Sequence, residues 1–231
     1  MQTPIKFIYF DLGNILVQVD QVKASEQFKI WLKHFNHVNV KLGTLYDIIY
    51  DSAAQNKWES GFTNQDQHIE SILNKLQFFD QMQDDQYEKY KTKIINQAIG
   101  VLCYNSFAPM TLESQILHAI QGIKYYFPQV KLGILSNTCD AHWSYISDHF
   151  PIVSQIKWDH IILSYEHGCM KPNEQIYQIA QDKTNCDKDQ VLFIDDRDDN
   201  VEAANQFGWN AHVAMGGLDI CNYLSTYGLI K

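Results

Sequence analysis

Short apolar runs that end in turn residues recur along the chain, and the first of them stands near its start. Lys6–Phe10 comprises five apolar or amphipathic residues in a row, a pattern typical of a strand buried on both faces. Asp11 ends the run, and the turn-forming residues Gly13 and Asn14 follow it. The same pattern predicts four further strands: Val130–Leu135, Ile161–Ser164, Gln190–Ile194 and Asn210–Ala214.

Stretches with apolar residues at helical spacing separate the strands in the second half of the chain. One predicted helix opens at Lys171-Pro172-Asn173 and runs to Asp182, and the others are Thr111–Tyr125, Asp140–His149, Val201–Phe207 and Leu218–Tyr227. Strands that alternate with helices through short connections form parallel sheets with helices on both faces. The sequence therefore predicts an α/β fold with a doubly wound, parallel, five-stranded sheet.

Residues 18–103 show a different pattern, in which helical spacing is not interrupted by strands. Four helices are predicted there: Gln21–Phe35, Thr44–Ala53, Asn64–Leu76 and Asp84–Leu102. A loop precedes the third of them, and Thr63 or Asn64 can cap that helix. We therefore predict that residues 1–17 and 104–231 form an α/β core and that residues 18–103 form an all-helical insertion.

The composition indicates where the protein is located and which classes of partner it is unsuited to bind. The 231 residues are 45% hydrophobic and carry a net charge of −9. The charge has the wrong sign for nonspecific binding to nucleic acid or to anionic membranes. Five cysteines are scattered singly, which is typical of a reduced cytosolic protein. Because neither a signal peptide nor an apolar run of ~20 residues is recognisable, we expect a soluble, cytoplasmic protein.

Polar and charged residues stand at the carboxyl ends of the predicted strands, which share one edge of a parallel sheet. They are Asp11 after the first strand, Ser136 and Asn137 after the second, and Asp195, Asp196 and Asn200 after the fourth, with Lys171 at a helix start. Converging carboxylates repel each other unless a cation balances them, and all-oxygen ligation suits Mg²⁺. This combination of carboxylates, hydroxyl, amide and lysine indicates phosphoryl transfer.

Four short segments surround these polar residues, in the order Phe10-Asp11-Leu12-Gly13-Asn14, Leu135-Ser136-Asn137-Thr138, Met170-Lys171-Pro172, and Phe193-Ile194-Asp195-Asp196 through Asn200-Val201-Glu202-Ala203-Ala204. In sequence and in order they resemble the four motifs of the haloacid dehalogenase-like (HAD) hydrolase superfamily. The resemblance spans residues 6–214 and implies a Rossmann-like core, with the helical insertion standing where the family carries a small C1-type cap. The Asp-Leu-Gly-Asn opening looks most similar to the branch that contains bacterial alpha-glucose-1-phosphate phosphatases.

The resemblance implies a role for each of these residues. Asp11 would be the nucleophile that forms an aspartyl-phosphate, and Lys171 would neutralise charge between it and the bound phosphate. Mg²⁺ would be the cofactor, held by Asp11, by the backbone carbonyl of Gly13 and by Asp196. Two further pairs complete the implied site: Ser136 and Asn137, which would bind phosphoryl oxygens, and Asp195 and Asn200, which would support the metal. The implied activity is a Mg²⁺-dependent phosphatase acting on a small phosphorylated metabolite such as a sugar phosphate.

Gly13 departs from the family pattern, because most family phosphatases have an aspartate there that acts as general acid and base. Losing a positioned acid typically costs on the order of 10²–10⁴ in rate. We therefore expect either substrates whose leaving oxygen is easily expelled, such as a sugar 1-phosphate, or a replacement donor from the cap. We place Trp58, Glu59 and Phe62 on a cap loop that lines the substrate pocket, belongs to the cap core or is a plain loop.

Two other functions fit the same residues. A metal-independent 2-haloacid dehalogenase also uses an aspartate nucleophile without the second acid, although the pair Asp195-Asp196 argues against it. A third hypothesis is a catalytically impaired binding or regulatory protein that kept the fold and lost its activity together with the acid.

Overall fold

The computed structural model describes residues 4–35, 39–80, 82, 84–111 and 113–230. Within these ranges the strands are, in chain order, β1 (Phe7–Phe10), β2 (Val17–Val19), β3 (Phe107–Pro109), β4 (Lys131–Ser136), β5 (His160–Leu163), β6 (Val191–Asp195) and β7 (Asn210–Val213). Five of them form a sheet in the order β5-β4-β1-β6-β7, in which all neighbouring strands are parallel. The prediction of a parallel five-stranded sheet is confirmed.

Helices occupy most of the remaining chain. In the insertion they are α1 (Gln21–Leu32), α2 (Leu42–Ile49), α3 (Ser52–Glu59), α4 (Gln65–Lys75) and α5 (Asp84–Ser106). In the core they are α6 (Glu113–Tyr126), α7 (Asp140–His149), α8 (Pro151–Ser154), α9 (Ser164–His167), α10 (Glu174–Gln181), α11 (Asp198–Phe207) and α12 (Gly217–Thr226). Among the described helices, none combines the length and the apolar character that crossing a membrane requires.

The side chains of β1 alternate between the two faces of the sheet, which explains why helices cover both faces. Ile8 and Phe10 share an apolar cluster with inward residues of α6 and α12, among them Ile116, Ile120, Ile220 and Leu224. Phe7 and Tyr9 share a second cluster with residues of α10 and α11, among them Ile176, Tyr177, Ala204 and Phe207. The doubly wound arrangement therefore follows from the period of two along a short, fully buried strand.

The helical insertion has an apolar cluster of its own, to which Phe28, Leu45, Ile72 and Ile95 belong. The prediction of one helix over Thr44–Ala53 is wrong, because α2 ends at Ile49 and α3 starts at Ser52. The break follows from Asp51, whose carboxylate accepts a hydrogen bond from the Ala54 N–H at 2.9 Å and so caps α3. The domain boundaries at residues 17–18 and 103–104 stay a prediction.

A short antiparallel ribbon, which the sequence pattern does not reveal, connects the core and the insertion. Strand β2 pairs with β3, so that Val17 lies opposite Pro109 and Val19 opposite Phe107. Three residues are too few for an alternating pattern to be recognised. The chain leaves the core through β2 and returns through β3, and this places Val19 and Phe107 beside the carboxyl edge of the sheet.

Several element bounds differ from the prediction; for example, α2 begins at Leu42 rather than at Thr44, and α10 begins at Glu174 rather than opening at Lys171. Ser164 begins α9 instead of ending β5, and α11 begins at Asp198 rather than at Val201. Asp198 and Asp199 occupy the first turn of α11, where negative side chains interact favourably with the helix dipole. Helix α6 begins at Glu113, and Leu112, which belongs to the predicted helix, lies outside the described residues.

Candidate active site at the carboxyl edge of the sheet

The register of the three central strands brings the polar residues of their ends together. Phe10 lies level with Ile134 of β4 and with Ile194 of β6. One residue further, the Asp11 N–H donates to the Ile194 carbonyl at 2.9 Å, which places Asp11 beside Asp195. From β1 the sheet is extended first on one side, by β4 and β5, and then on the other side, by β6 and β7. Open α/β sheets bind their ligands where the strand order reverses in this way.

Lys171 lies buried between the carboxyl ends of β1 and β6. Its Nζ lies 2.8 Å from Asp11 Oδ1 and 2.5 Å from Asp195 Oδ2, and it donates to the Leu135 carbonyl at 3.0 Å. These three partners use the three donors of an ammonium group. Burial lowers the pKa of Lys171, but the two carboxylates outweigh burial and raise the pKa above its ordinary value. The lysine is therefore a fixed, charged group.

Asp195 holds this cluster together from its centre. Its side chain is fully buried, and Oδ1 accepts from the Arg197 N–H at 2.9 Å. Asn200 Nδ2 lies 3.0 Å and 3.1 Å from the two carboxylate oxygens, while Lys171 occupies Oδ2. Hydrogen bonds thus reach both oxygens of Asp195 from inside the protein, and the residue orients Lys171 and Asn200.

The donor set at this edge fits a hard divalent cation. One carboxylate oxygen each of Asp11, Asp195 and Asp196 lies within 4.8 Å of the others. Three carboxylates against the single ammonium of Lys171 leave negative charge that a metal ion would balance. Asn200 Oδ1 is buried and has no hydrogen-bond partner among the described residues, so it can accept a bond from a water bound at this place. Burial raises the pKa of Asp11 to about 7, while Lys171 acts in the opposite direction.

Asn14 is a residue that the sequence interpretation treated only as part of a turn. It adopts a φ of 55°, which asparagine tolerates better than most residues. Its Nδ2 donates to Asp196 Oδ2 at 2.8 Å, and its Oδ1 accepts from the Val19 N–H at 3.0 Å. Asn14 therefore links the loop after β1, the ribbon and the outer carboxylate. The sequence signal that could have pointed to Asn14 is an asparagine that follows a glycine just after the end of a strand.

The strand end of β4 supplies Ser136 and Asn137, which the sequence interpretation paired as phosphate ligands. Ser136 is almost fully buried and lines the cleft. The Asn137 side chain donates to the Lys171 carbonyl at 2.9 Å and accepts from the Lys171 N–H at 2.8 Å. This reciprocal pair fixes the backbone of Lys171, so the Asn137 amide acts on the lysine. The phosphate-binding role of both residues stays a prediction.

Gly13 lies in close contact with the ribbon. A Cβ added at Gly13 would lie 3.0 Å from Val19 Cγ2, which is tighter than ordinary van der Waals contact. The valine therefore occupies part of the space that a side chain at position 13 would need. Glycine at position 13 therefore fits the close approach of Val19 in β2, and an aspartate there would not fit without a shift.

We expect Gly13→Asp to lower the free energy of unfolding by about 1–3 kcal/mol, the usual cost of overpacking. Val19→Ala should remove most of this cost, so that the double variant loses less than the two single variants together. Urea unfolding of the four proteins measures this coupling. Gly13→Ala is the matched control, because it adds the Cβ without the charge. Strictly additive costs would contradict the contact between Gly13 and Val19.

A cleft of about 720 Å³ opens over these groups. The insertion supplies its other wall through hydroxyl, amide and carboxyl groups: Tyr46, Tyr50, Gln55, Asn56 and Glu59. Of the three cap residues singled out from the sequence, Glu59 lines the cleft, Trp58 is buried and Phe62 is 73% exposed. The prediction that all three lie on a loop is wrong, because Trp58 and Glu59 are the last two residues of α3. Arg197 and His142 also line the cleft, and no local sequence pattern had pointed to either.

Comparison with known proteins shows the same organisation elsewhere. The sequence model of the family described as haloacid dehalogenase-like hydrolase matches residues 5–208. A HAD family enzyme from Bacteroides thetaiotaomicron has a TM-score of 0.72 at 20% identity, over 96% of this chain and 99% of that one. A protein from Porphyromonas gingivalis, described as a predicted HAD-like family hydrolase, has a TM-score of 0.70 at 18% identity, over 98% and 99%. L-2-haloacid dehalogenase from Xanthobacter autotrophicus has a TM-score of 0.59 at 15% identity, over 96% and 83%.

The fold and the site define an α/β protein with a buried lysine among aspartates at the sheet edge, covered by a helical insertion. Because the family model matches most of the chain, the protein belongs to the haloacid dehalogenase-like hydrolase family. The resemblance seen in the four sequence motifs is thereby confirmed at the level of the family. The similarity to the alpha-glucose-1-phosphate phosphatase branch stays a prediction.

Proposed function

We propose that this hydrolase is a Mg²⁺-dependent phosphatase that acts on a small phosphorylated metabolite. The observation that carries the proposal is the ion pair between Asp11 and Lys171 inside a group of three carboxylates. The arrangement offers a nucleophile, a cation for phosphoryl oxygens and oxygen ligands for a metal in one cleft. The Bacteroides thetaiotaomicron enzyme of the same fold forms a complex with magnesium and inorganic phosphate, which supports this choice.

Asp11 is the nucleophile of the proposed reaction. Its carboxylate attacks phosphorus, the bond from phosphorus to the leaving oxygen breaks, and an aspartyl-phosphate forms; water then releases phosphate and restores the carboxylate. Lys171 holds Asp11 in place and neutralises charge on the phosphoryl group. The Ser136 hydroxyl binds a phosphoryl oxygen, and Asn137 keeps Lys171 in position.

Asp11, Asp196 and the carbonyl of Gly13 are the proposed ligands of Mg²⁺, with Asp195 and Asn200 in support. When bound there, Mg²⁺ would neutralise the charge of the phosphoryl oxygens. Asp196 is the outer carboxylate and borders the cleft, whereas Asp195 is taken up by hydrogen bonds inside the protein. The two adjacent aspartates therefore have different tasks.

The cap wall favours a substrate with several hydroxyl groups. Tyr46, Tyr50, Gln55 and Asn56 border the cleft, and phenol and amide groups can both donate to and accept from hydroxyls. A volume of about 720 Å³ is in the range of small-molecule sites. A phosphorylated sugar is the substrate class that combines these properties.

We expect the purified protein to release inorganic phosphate from members of a phosphosugar panel in Mg²⁺ and to lose this activity in EDTA. The metal should be needed because the carboxylates repel a phosphate dianion until a cation neutralises them. A colorimetric assay for inorganic phosphate measures the release. Adding Mg²⁺ in excess of EDTA is the control, since activity should return if EDTA acts by removing the metal.

The same experiment includes 2-chloropropionate, because an aspartate nucleophile without a neighbouring acid also suits dehalogenation. Halide release that persists in EDTA, without phosphate release, would contradict the phosphatase proposal and favour a dehalogenase. Inactivity on both substrate classes would favour a binding or regulatory protein.

A further inference from the structure

The reaction proposed above needs a proton donor for the leaving oxygen, and Gly13 has no side chain to supply it. We propose that Glu59 of the cap is this general acid, an assignment that rests on the proposed phosphatase function. Glu59 is the last residue of α3 and borders the same cleft as Asp11 and Lys171. It faces the site from the cap side, opposite the sheet edge that carries the nucleophile.

Contacts with the core hold the end of α3 over the site. The Ser164 hydroxyl donates to the Glu59 carbonyl at 2.5 Å, and its oxygen accepts from the Thr138 N–H at 3.0 Å. Gly61 has a φ of 72°, and a Cβ there would collide with the Tyr165 carbonyl oxygen. The backbone of Glu59 is therefore tied, through one serine, to the strand end that follows Ser136.

The Glu59 side chain is oriented as well as placed. Gln55 Nε2 donates to Glu59 Oε1 at 2.8 Å, one helical turn earlier in α3. The groups that act electrostatically on Glu59 are Lys171 and Arg197 of the core, and the Cys139 thiol lies close enough to be affected by its charge. Burial raises the pKa of Glu59 above its ordinary value, while Gln55 and the two cations act against burial. A raised pKa keeps more of the carboxyl protonated near neutral pH.

Other titratable groups of the cleft are less suited to this task. The Asp20 side chain caps α1 by accepting from the Lys23 N–H at 2.9 Å. Burial raises the pKa of the Tyr50 phenol well above its ordinary value, so it gives up a proton with difficulty. Burial lowers the pKa of His142 to about 4, so this imidazole carries no extra proton to donate at neutral pH.

In the proposed reaction the Glu59 carboxyl group gives up a proton in the first step and takes one back in the second. As Asp11 attacks and the bond to the leaving oxygen breaks, the Glu59 proton moves to that oxygen and an alcohol departs. In the second step the Glu59 carboxylate takes a proton from the water that attacks the aspartyl-phosphate. The bond between phosphorus and Asp11 breaks, phosphate leaves, and Glu59 is protonated again.

The test compares Glu59→Gln with wild type on two aryl phosphates of similar size, phenyl phosphate and p-nitrophenyl phosphate, in Mg²⁺. Nitrophenolate leaves easily without a proton, whereas phenolate benefits from one. We expect the variant to lose about 10²–10³-fold in kcat on phenyl phosphate, with little change in KM. On p-nitrophenyl phosphate it should give a burst of nitrophenolate followed by slow turnover, because only the second step then needs the base.

The pH profile provides a second readout. An acid must be protonated to act, so wild-type kcat/KM on phenyl phosphate should fall as the pH rises through the pKa of Glu59, and Glu59→Gln should lack this decline. Glu59→Asp should keep part of the decline, since the carboxyl group is one methylene shorter. Glu26→Gln, on the exposed face of α1, is the matched control and should behave as wild type.

The possible failures are distinguishable. If wild type releases phosphate neither from these esters nor from the phosphosugar panel, the proposed phosphatase function is contradicted and the role of Glu59 falls with it. If it acts on phosphosugars alone, kcat and the pH profile of Glu59→Gln are compared with wild type on the best phosphosugar. If Asp11→Asn is inactive while Glu59→Gln keeps the wild-type dependence on the leaving group, only the assignment of Glu59 is overturned. A rise in KM on both esters with unchanged kcat would make Glu59 a substrate-binding residue instead.

Discussion

Asp11→Asn is expected to abolish phosphate release, with kcat reduced about 10⁴-fold or more, as when a covalent nucleophile is removed from other hydrolases. Asparagine has nearly the shape of aspartate, but its amide does not attack phosphorus. Steady-state assays in Mg²⁺ on the best substrate of the phosphosugar panel measure the loss. On p-nitrophenyl phosphate the variant should release no burst of nitrophenolate, because no aspartyl-phosphate forms.

The stability of this variant separates a chemical loss from a folding defect. Asp11 is buried beside Asp195, so replacing its charge removes a repulsion in the protein without metal. Lys171 keeps Asp195 as its partner. We expect the melting temperature in EDTA to stay the same or to rise. Turnover within tenfold of wild type would contradict Asp11 as the nucleophile.

Lys171→Met is expected to destabilise the protein by about 3–5 kcal/mol, because removing one partner of a buried ion pair leaves uncompensated charge. Two carboxylates, Asp11 and Asp195, would face each other without the ammonium that now lies 2.8 Å and 2.5 Å from them. Activity should be lost as well, since the phosphoryl charge would meet no cation from this side. Urea unfolding and phosphate release measure the two effects.

A second substitution tests whether the cost comes from charge. Lys171→Met combined with Asp195→Asn removes one negative charge along with the positive one, and should recover part of the lost stability without recovering activity. Lys188→Met is the matched control: it replaces a lysine whose ammonium stacks on the Phe207 ring, away from the site. If the double variant is no more stable than Lys171→Met alone, the buried charges are not the source of the cost.

The sheet was predictable from the sequence because β1, β4, β5 and β6 are short, largely apolar runs with a polar residue at or just after the end. Strand β7, which contains Asn210 and His212, is less apolar. The ribbon of β2 and β3 was not, since strands of three residues carry no recognisable period. The break between α2 and α3 was missed for a related reason. Asp51 caps α3, but apolar residues stand at helical spacing on both sides of Asp51, so the pattern shows no break.

Most of the polar residues that meet at the sheet edge could also be predicted. Parallel strands bring their carboxyl ends to one edge of the sheet whatever the details of packing. The pairing of β1 with β6, which the structure shows, is what places Asp11 beside Asp195. The sequence could not show that the Asn137 amide is used by the Lys171 backbone. That contact joins residues 34 positions apart, through a loop whose path depends on the folded core.

The sequence by itself determined the chemical groups of the site and the edge at which they meet, because residue types and the period of apolar positions are local properties. Only the tertiary structure decided how those groups are used. It buries Lys171 between two carboxylates, packs Val19 against Gly13 and turns Glu59 toward the cleft. Lys171 meets carboxylates from distant segments, whereas Gly13 and Val19 are close along the chain and touch through the turn that leads into β2. A local pattern of apolar positions shows neither kind of contact.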